Sequence, residues 1–326
     1  MGLGQAEKVF ALSPNVEIEQ KIEKNKERKI SQVWAIGGGK GGVGKSFVTA
    51  NLALSLAFLG NSVLAIDCDF GGANLHTCLG IAIPQKTLSD FFLPGTKVTD
   101  LIVSTNLPNL KIISGAQDHV NITGMRHFDR FRLLKEIKSL DFDFILFDLG
   151  AGTTQNTLDF FTFADKGIMA TLPEPTAIEN TYRFIRSAFF HYLTKKEELL
   201  EFVPLIEDFV NSKMSENKSP YSIVEKIREY DSRGAIILDS IIRSYSPKLI
   251  LNQTRSFSDL DIGDSMSLVC KKYFGISLEF IGGLEYDPMV WQSVKKRRPL
   301  LLEFPSSPLV RNFEMMLGKL LKNGVL

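Results

Sequence analysis

The chain has 326 residues, a formal net charge of +1, 44% apolar and 23% charged content, and three cysteines. That composition is ordinary for a globular protein, with chain enough for one large or two modest domains; near-neutrality removes any global electrostatic case for nucleic acid or an acidic membrane, so such a contact must come from a local patch. Cys68, Cys78 and Cys270 form no C-x-x-C pair, which argues against a redox pair or zinc knuckle and fits a reducing cytoplasm. With no apolar signal core and no long apolar run, a soluble cytoplasmic protein is expected.

Residues 1 to about 30 look like an appendage. Glu17 to Lys29 is dense in Glu and Lys, with Ile18 and Ile22 as its apolar breaks, which predicts a mobile tail or a solvated helix. The remainder, 31–326, reads as one domain. Val33–Ile36 is a short apolar run, a buried strand by its composition. A glycine loop follows, Gly39-Lys40-Gly41-Gly42-Val43-Gly44-Lys45-Ser46. Phe47 to Leu59 then has apolar residues at helical spacing, with Gly60 as a stop. Further apolar runs follow at Val63–Ile66, Leu110–Ile113, Phe144–Phe147, Ile168–Leu172, Leu249–Leu251 and Leu278–Ile281, with helical segments between them, among them Thr176–Leu193. Almost continuously apolar strands are covered on both faces, and alternation with helices implies crossovers. The expected fold is α/β, a mostly parallel, doubly wound sheet flanked by helices. One stretch, about 194–247, breaks the rhythm with charged helical sequence, including Lys195–Glu198, Lys213–Lys218 and Lys226–Arg233, and reads as a helical insertion.

The loop fits the phosphate-cradling pattern G-x-x-x-x-G-K-[ST], in the strand–loop–helix context that pattern requires. Its backbone N–H groups can wrap phosphates, and the helix N-terminus adds favourable charge. Lys45 is expected to neutralise the β- and γ-phosphates, and Ser46 to place its hydroxyl on Mg²⁺. Lys40 is needed for neither task; a second lysine at this spacing reads as a site completed by a second subunit. The second strand runs into Asp67-Cys68-Asp69, and Phe144–Phe147 into Asp148, a Walker B arrangement. Carboxylates at strand ends beside the loop can hold Mg²⁺, directly or through water, and orient an attacking water. Leu149-Gly150-Ala151-Gly152-Thr153 permits a loop that moves when the γ-phosphate leaves.

Lys40 to Ser46 resembles the deviant Walker A loop of the MinD/ParA ATPases. Asp67-Cys68-Asp69 with Asn74-Leu75 resembles their first switch, and Asp148 with Gly150-Ala151-Gly152 their Walker B and second switch. Pro173-Glu174-Pro175-Thr176 and Leu251-Asn252-Gln253 match two further segments of that family. The resemblance implies a P-loop NTPase fold, ATP and Mg²⁺ as cofactors, and a slow ATPase whose nucleotide-sandwich homodimer is crossed by Lys40. By the same resemblance Asp69 positions the hydrolytic water and Asn252 contacts adenine. Gly71-Gly72-Ala73-Asn74-Leu75, Asp148 to Gly152, Arg298-Pro299 and Pro305 to Pro308 are most similar to the FlhG/FleN branch, regulators of flagellar number and placement. This chain departs from the pattern at Phe47, where many relatives have a small polar residue beside the α-phosphate, and at His76, where an Asp often stands.

Beyond the site, Ser307-Pro308 is a good helix start. Leu309, Val310, Phe313, Met316, Leu317, Leu320 and Leu321 share one face of 307–322, which suits a final helix docked on the sheet or, as the alternative, a membrane-surface helix. Lys295-Lys296-Arg297-Arg298 raises a DNA partner as in ParA-type partition ATPases, although without aromatic interleaving; as a rule such a run is a solvated loop edge. His76 falls near the expected site, directly after Asn74-Leu75, while His119, His127 and His191 are scattered without metal-pair spacing. A protein partner is expected at the switch loops, the insertion or the tail.

Overall fold

The computed structural model describes residues 31–82, 84–115, 127–211 and 221–322. The expected tail over 1–30, His119 and the Lys213–Lys218 run lie outside them.

In chain order the strands are β1 (Gln32–Gly37), β2 (Val63–Cys68), β3 (Val103–Ser104), β4 (Leu110–Ile113), β5 (Phe144–Leu149), β6 (Lys166–Thr171), β7 (Lys248–Thr254) and β8 (Glu279–Glu285). The α-helices are α1 (Lys45–Phe58), α2 (Leu75–Cys78), α3 (His127–Lys138), α4 (Gln155–Phe163), α5 (Pro175–Thr194), α6 (Val203–Asn211), α7 (Tyr221–Arg228), α8 (Ser232–Ser244), α9 (Phe257–Val269), α10 (Pro288–Lys295), α11 (Leu300–Glu303) and α12 (Pro308–Lys322). All seven apolar runs form strands. The added strand, β3, is two residues long and pairs antiparallel to β4. The eight strands, mostly parallel and flanked by helices, make the α/β fold that the apolar runs predict.

The chain divides into two compact units. The first takes its described residues from 31–36, 45–150 and 287–322. Its strands run β3-β4-β2-β5-β1. Every residue of β2 and β5 is buried, as expected of strands covered on both faces. Helix α1 buries twelve of its fourteen residues, and Phe47 in its first turn meets Phe313 of α12 edge-to-face at 5.8 Å between ring centroids. Helix α12 turns Leu309, Val310, Phe313, Met316, Leu317 and Leu320 into this core. Its start is fixed as the sequence predicts. Ser307 Oγ accepts the Leu309 N–H at 3.2 Å and donates to Asp287 Oδ2 at 2.6 Å.

The second unit comprises 37–44 and 151–286. Its three strands, β6-β7-β8, are parallel. Where it is described, the 197–244 stretch is helical, as a turn over Glu197–Phe202 and helices α6, α7 and α8, and it buries Leu199, Phe202, Ile206, Ile223, Ile227 and Leu238. Asp231 caps α8 by accepting the Arg233 and Gly234 N–H groups. Among the described residues no helix is long and apolar enough to cross a membrane.

Candidate nucleotide site

The glycine loop joins the end of β1 to the start of α1, so Lys45 and Ser46 occupy the helix's first turn, where backbone N–H groups have no intrahelical partner. Gly42 and Gly44 adopt φ of 78° and 91°, the left-handed region that glycine enters without a steric cost. Gly39 is required for a different reason: a Cβ there would stand 2.1 Å from the Asn180 carbonyl oxygen. Gly41 has open space around it, and Val43 is buried.

In the first unit, the parallel pairing of β2 with β5 sets Asp67 directly opposite Asp148. Neither reaches solvent: they are 0% and 1% exposed. Asp67 is fully engaged with the backbone of the turn that follows it. Its Oδ1 accepts the Asp69 N–H at 3.0 Å and its Oδ2 the Leu75 N–H at 3.1 Å. Asp148 is different. Its Oδ1 accepts the Thr49 hydroxyl at 3.2 Å, and Thr49 also donates to the Lys45 carbonyl at 3.0 Å, while Oδ2 is buried with no partner.

Burial, then mutual repulsion, raises Asp67 far above the usual carboxylate range. Burial also raises Asp148, opposed by Ser46, Lys45 and Thr49. Burial lowers Lys45, opposed by Asp148 and then Asp69. Two carboxylates and a lysine sharing a water-poor site, with one carboxylate oxygen orphaned, form a donor set that suits a hard divalent cation. The residues present therefore fit Mg²⁺.

Asp69 folds its carboxylate back on the switch segment, Oδ1 accepting the Gly71 and Gly72 N–H groups at 3.1 Å each. Gly150, just after β5, lies against it; a Cβ there would come 3.1 Å from Asp69 Oδ1. The two expected switch segments thus touch. Phe47 turns its ring into the core, so its backbone N–H is what it can offer a phosphate. His76 is buried with Nδ1 unpartnered, and burial with the nearby Arg297 lowers its pKa.

In the second unit, Lys40 reaches the start of α5. Its Nζ lies 3.4 Å from Thr176 Oγ1 and 3.7 Å from a Glu174 carboxylate oxygen. Asn252, at the end of β7, donates through Nδ2 to the Val43 carbonyl at 2.9 Å. Thr49 and Asn180 were not singled out from the sequence; Glu174 and Thr176 were, as part of the Pro173–Thr176 segment, but not as partners of Lys40. Thr49 has a local signal, a hydroxyl one helical turn beyond Lys45; the other contacts join segments far apart in the chain. The basic run at 295–298 is partly neutralised: Glu303 accepts from Lys296 at 2.6 Å and Arg298 at 2.9 Å, and Lys295 sits over the Trp291 ring. Among the described residues no group of three or more His, Cys, Asp or Glu could hold a metal on its own, and the three cysteines are free.

Comparison with known proteins agrees with this geometry. Residues 29–229 match the family profile described as ParA, NUBPL iron-transfer P-loop NTPase. The antiactivator FleN of Pseudomonas aeruginosa is 25% identical over 279 residues, spanning 85% of this chain and 81% of that protein. The flagellum site-determining protein YlxH of Helicobacter pylori is 36% identical over 155 residues, 47% of this chain and 52% of that one. Among solved structures, the septum site-determining protein MinD of Pyrococcus horikoshii, complexed with Mg-ADP, superposes with a TM-score of 0.61 at 22% identity, covering 89% of this chain and 96% of the other. With the loop, the paired strand-end carboxylates, the sheet and a profile match over well more than half its length, the chain belongs to the ParA/MinD family of P-loop NTPases.

Proposed function

We propose that this chain is an ATP-dependent dimerisation switch of MinD/ParA type that serves spatial regulation, of flagellar placement and number or of a cell-pole or division site. The observation that carries the reading is the pairing of Asp67 with Asp148 beside Lys45, with Asp148 Oδ2 left for a cation. Lys45 neutralises the β- and γ-phosphates, the N–H groups of Gly39 to Phe47 cradle them, and Ser46, Asp67 and Asp148 hold Mg²⁺. When bound, Mg²⁺ neutralises charge developing on the phosphates. Asp69 orients the attacking water, and its tie to Gly71 and Gly72 makes its position depend on the switch segment. Turnover is therefore slow until a partner orders that segment.

Lys40 supplies the dimer function. Its contacts with Thr176 and Glu174 are exposed and long, so they are weak and easily exchanged for a phosphate of a facing subunit. Asn252 contacts adenine. Residues 31–326 act as one ATPase domain, and the insertion at about 194–247 and the switch loops are the partner surfaces. The protein is cytoplasmic, with the helix over 307–322 as its candidate contact with the inner face of the membrane. The helix over 307–322 lends little support to lipid contact, because its apolar face is already buried. A ParA-like DNA role is the second reading; the pairing of Lys296 and Arg298 with Glu303 weighs against it. A scaffold without turnover is the third.

The test is mass in solution with ADP and with ATP–Mg²⁺, using Asp69→Ala to block turnover. Wild type dimerises with ATP alone. Lys45→Ala loses ATP binding, and Lys40→Ala keeps ATP binding but stays monomeric. A Lys40→Ala protein that dimerises normally would sink the sandwich reading.

A further inference from the structure

The end of β7 is bent by a register shift. Asn252 pairs with Leu284 of β8 and Thr254 with Glu285, which leaves Gln253 as an extra residue between them. Gln253 takes φ of 59°, a left-handed conformation that is uncommon outside glycine. Bulges of this kind re-aim side chains next to functional sites. Here the bend brings the Gln253 N–H onto the preceding side chain, 3.0 Å from Asn252 Oδ1. The other end of that amide is held too, by its 2.9 Å bond to the Val43 carbonyl. Asn252 is 5% exposed, and its Nδ2 lies 2.2 Å from where a Cβ on Gly44 would be. One buried amide, locked at both ends, thus rests against the phosphate loop at the peptide joining Val43 to Gly44.

That peptide unit is planar and trans, so its carbonyl and its N–H point in opposite directions. Fixing the Val43 carbonyl therefore fixes the aim of the Gly44 N–H. We infer that Asn252 is a positioning residue for the phosphate loop, acting on phosphate affinity through the Val43–Gly44 peptide whatever base the nucleotide carries. The inference rests on the nucleotide reading of the site and extends it: the residue expected at the base also sets the far end of the ligand. A buried neutral hydrogen bond of this kind corresponds to about a tenfold change in affinity.

The experiment uses a ligand with no base. Binding of ATP and of inorganic tripolyphosphate, each with Mg²⁺, is measured on the full chain for wild type, Asn252→Ala and Asn252→Leu. Both variants are neutral, so a loss of anion binding cannot come from an added charge, and Leu keeps the volume filled. The expected result is the same loss, about tenfold, for both ligands in both variants. Weaker ATP binding with tripolyphosphate affinity unchanged would overturn the inference and leave Asn252 with the base alone. Wild type that binds neither ligand would instead sink the nucleotide reading.

Backbone 15N relaxation in the ligand-free protein gives an independent readout. The Gly44 N–H is expected to lose order in both variants, while the amides of β1 keep theirs. Unchanged Gly44 order in both variants refutes the positioning role even where tripolyphosphate binds wild type too weakly to measure.

Discussion

Replacing Phe313 by Ala is the sharpest test of where α12 belongs. Phe313 is fully buried, and its ring meets Phe47 edge-to-face at 5.8 Å. Emptying a core site of this kind costs about 3–5 kcal/mol, of which an aromatic pair accounts for roughly 0.5–1.5. The site has little room to collapse, since Leu309, Val310, Met316, Leu317 and Leu320 of the same helix are also buried, so a loss of about 4 kcal/mol is expected. In a protein of this size that corresponds to a fall of roughly 6 °C in melting temperature. Urea unfolding followed by tryptophan fluorescence reads it, because Trp34 is buried in β1 of the same unit and packs edge-on to Phe144. Met315→Ala, at a 53% exposed position on the same helix, is the control and should stay within about 0.5 kcal/mol of wild type. A Phe313→Ala protein less than about 1 kcal/mol weaker than wild type, yet deficient in binding anionic vesicles, would refute the core assignment and return this face to lipid.

Other predictions concern the site. Burial raises Asp67 and Asp148 in the folded state above their unfolded values, so both contribute stability at low pH that is lost as pH rises from about 4, the unfolded carboxylate range, through their folded pKa values. The ligand-free protein should therefore lose melting temperature across that window relative to Asp67→Asn, and Mg²⁺ with ADP should remove most of the difference; parallel profiles would contradict the assigned cause. Gly39→Ala places a methyl 2.1 Å from the Asn180 carbonyl and should abolish ATP binding in a titration while the far-ultraviolet circular dichroism is retained. Thr49→Val removes a donor from the buried Asp148 and should cost about 1–3 kcal/mol in urea unfolding and weaken nucleotide binding in Mg²⁺ more than in EDTA.

Much of the fold was legible because buried parallel strands advertise themselves as short, nearly continuous apolar runs, and each of the seven runs became a strand. β3 gave no such run: it is two residues long, and its pairing to β4 depends on where the chain returns. The site was legible where chemistry is carried by adjacent residues. Asp67 and Asp148 could be placed at strand ends from local sequence, but their facing one another depends on the register of β2 with β5. The Asn252 amide illustrates the limit. Its bond to Val43 spans 209 residues and depends on a bulge at a glutamine whose left-handed φ nothing in its local sequence announces. Phe47 illustrates the converse: a substitution within a binding motif reads as a change of ligand chemistry until its ring is seen in the core on Phe313.

The first unit is assembled from stretches that lie far apart in the chain, 31–36, 45–150 and 287–322, with α12 filling part of its interior. A polypeptide made from its N-terminus exposes Phe47 and the faces of α1 long before Phe313 and Leu320 exist. The first unit therefore cannot complete its core during synthesis until residues 308–322 have left the ribosome, and for that interval its apolar surface stays open to wrong contacts.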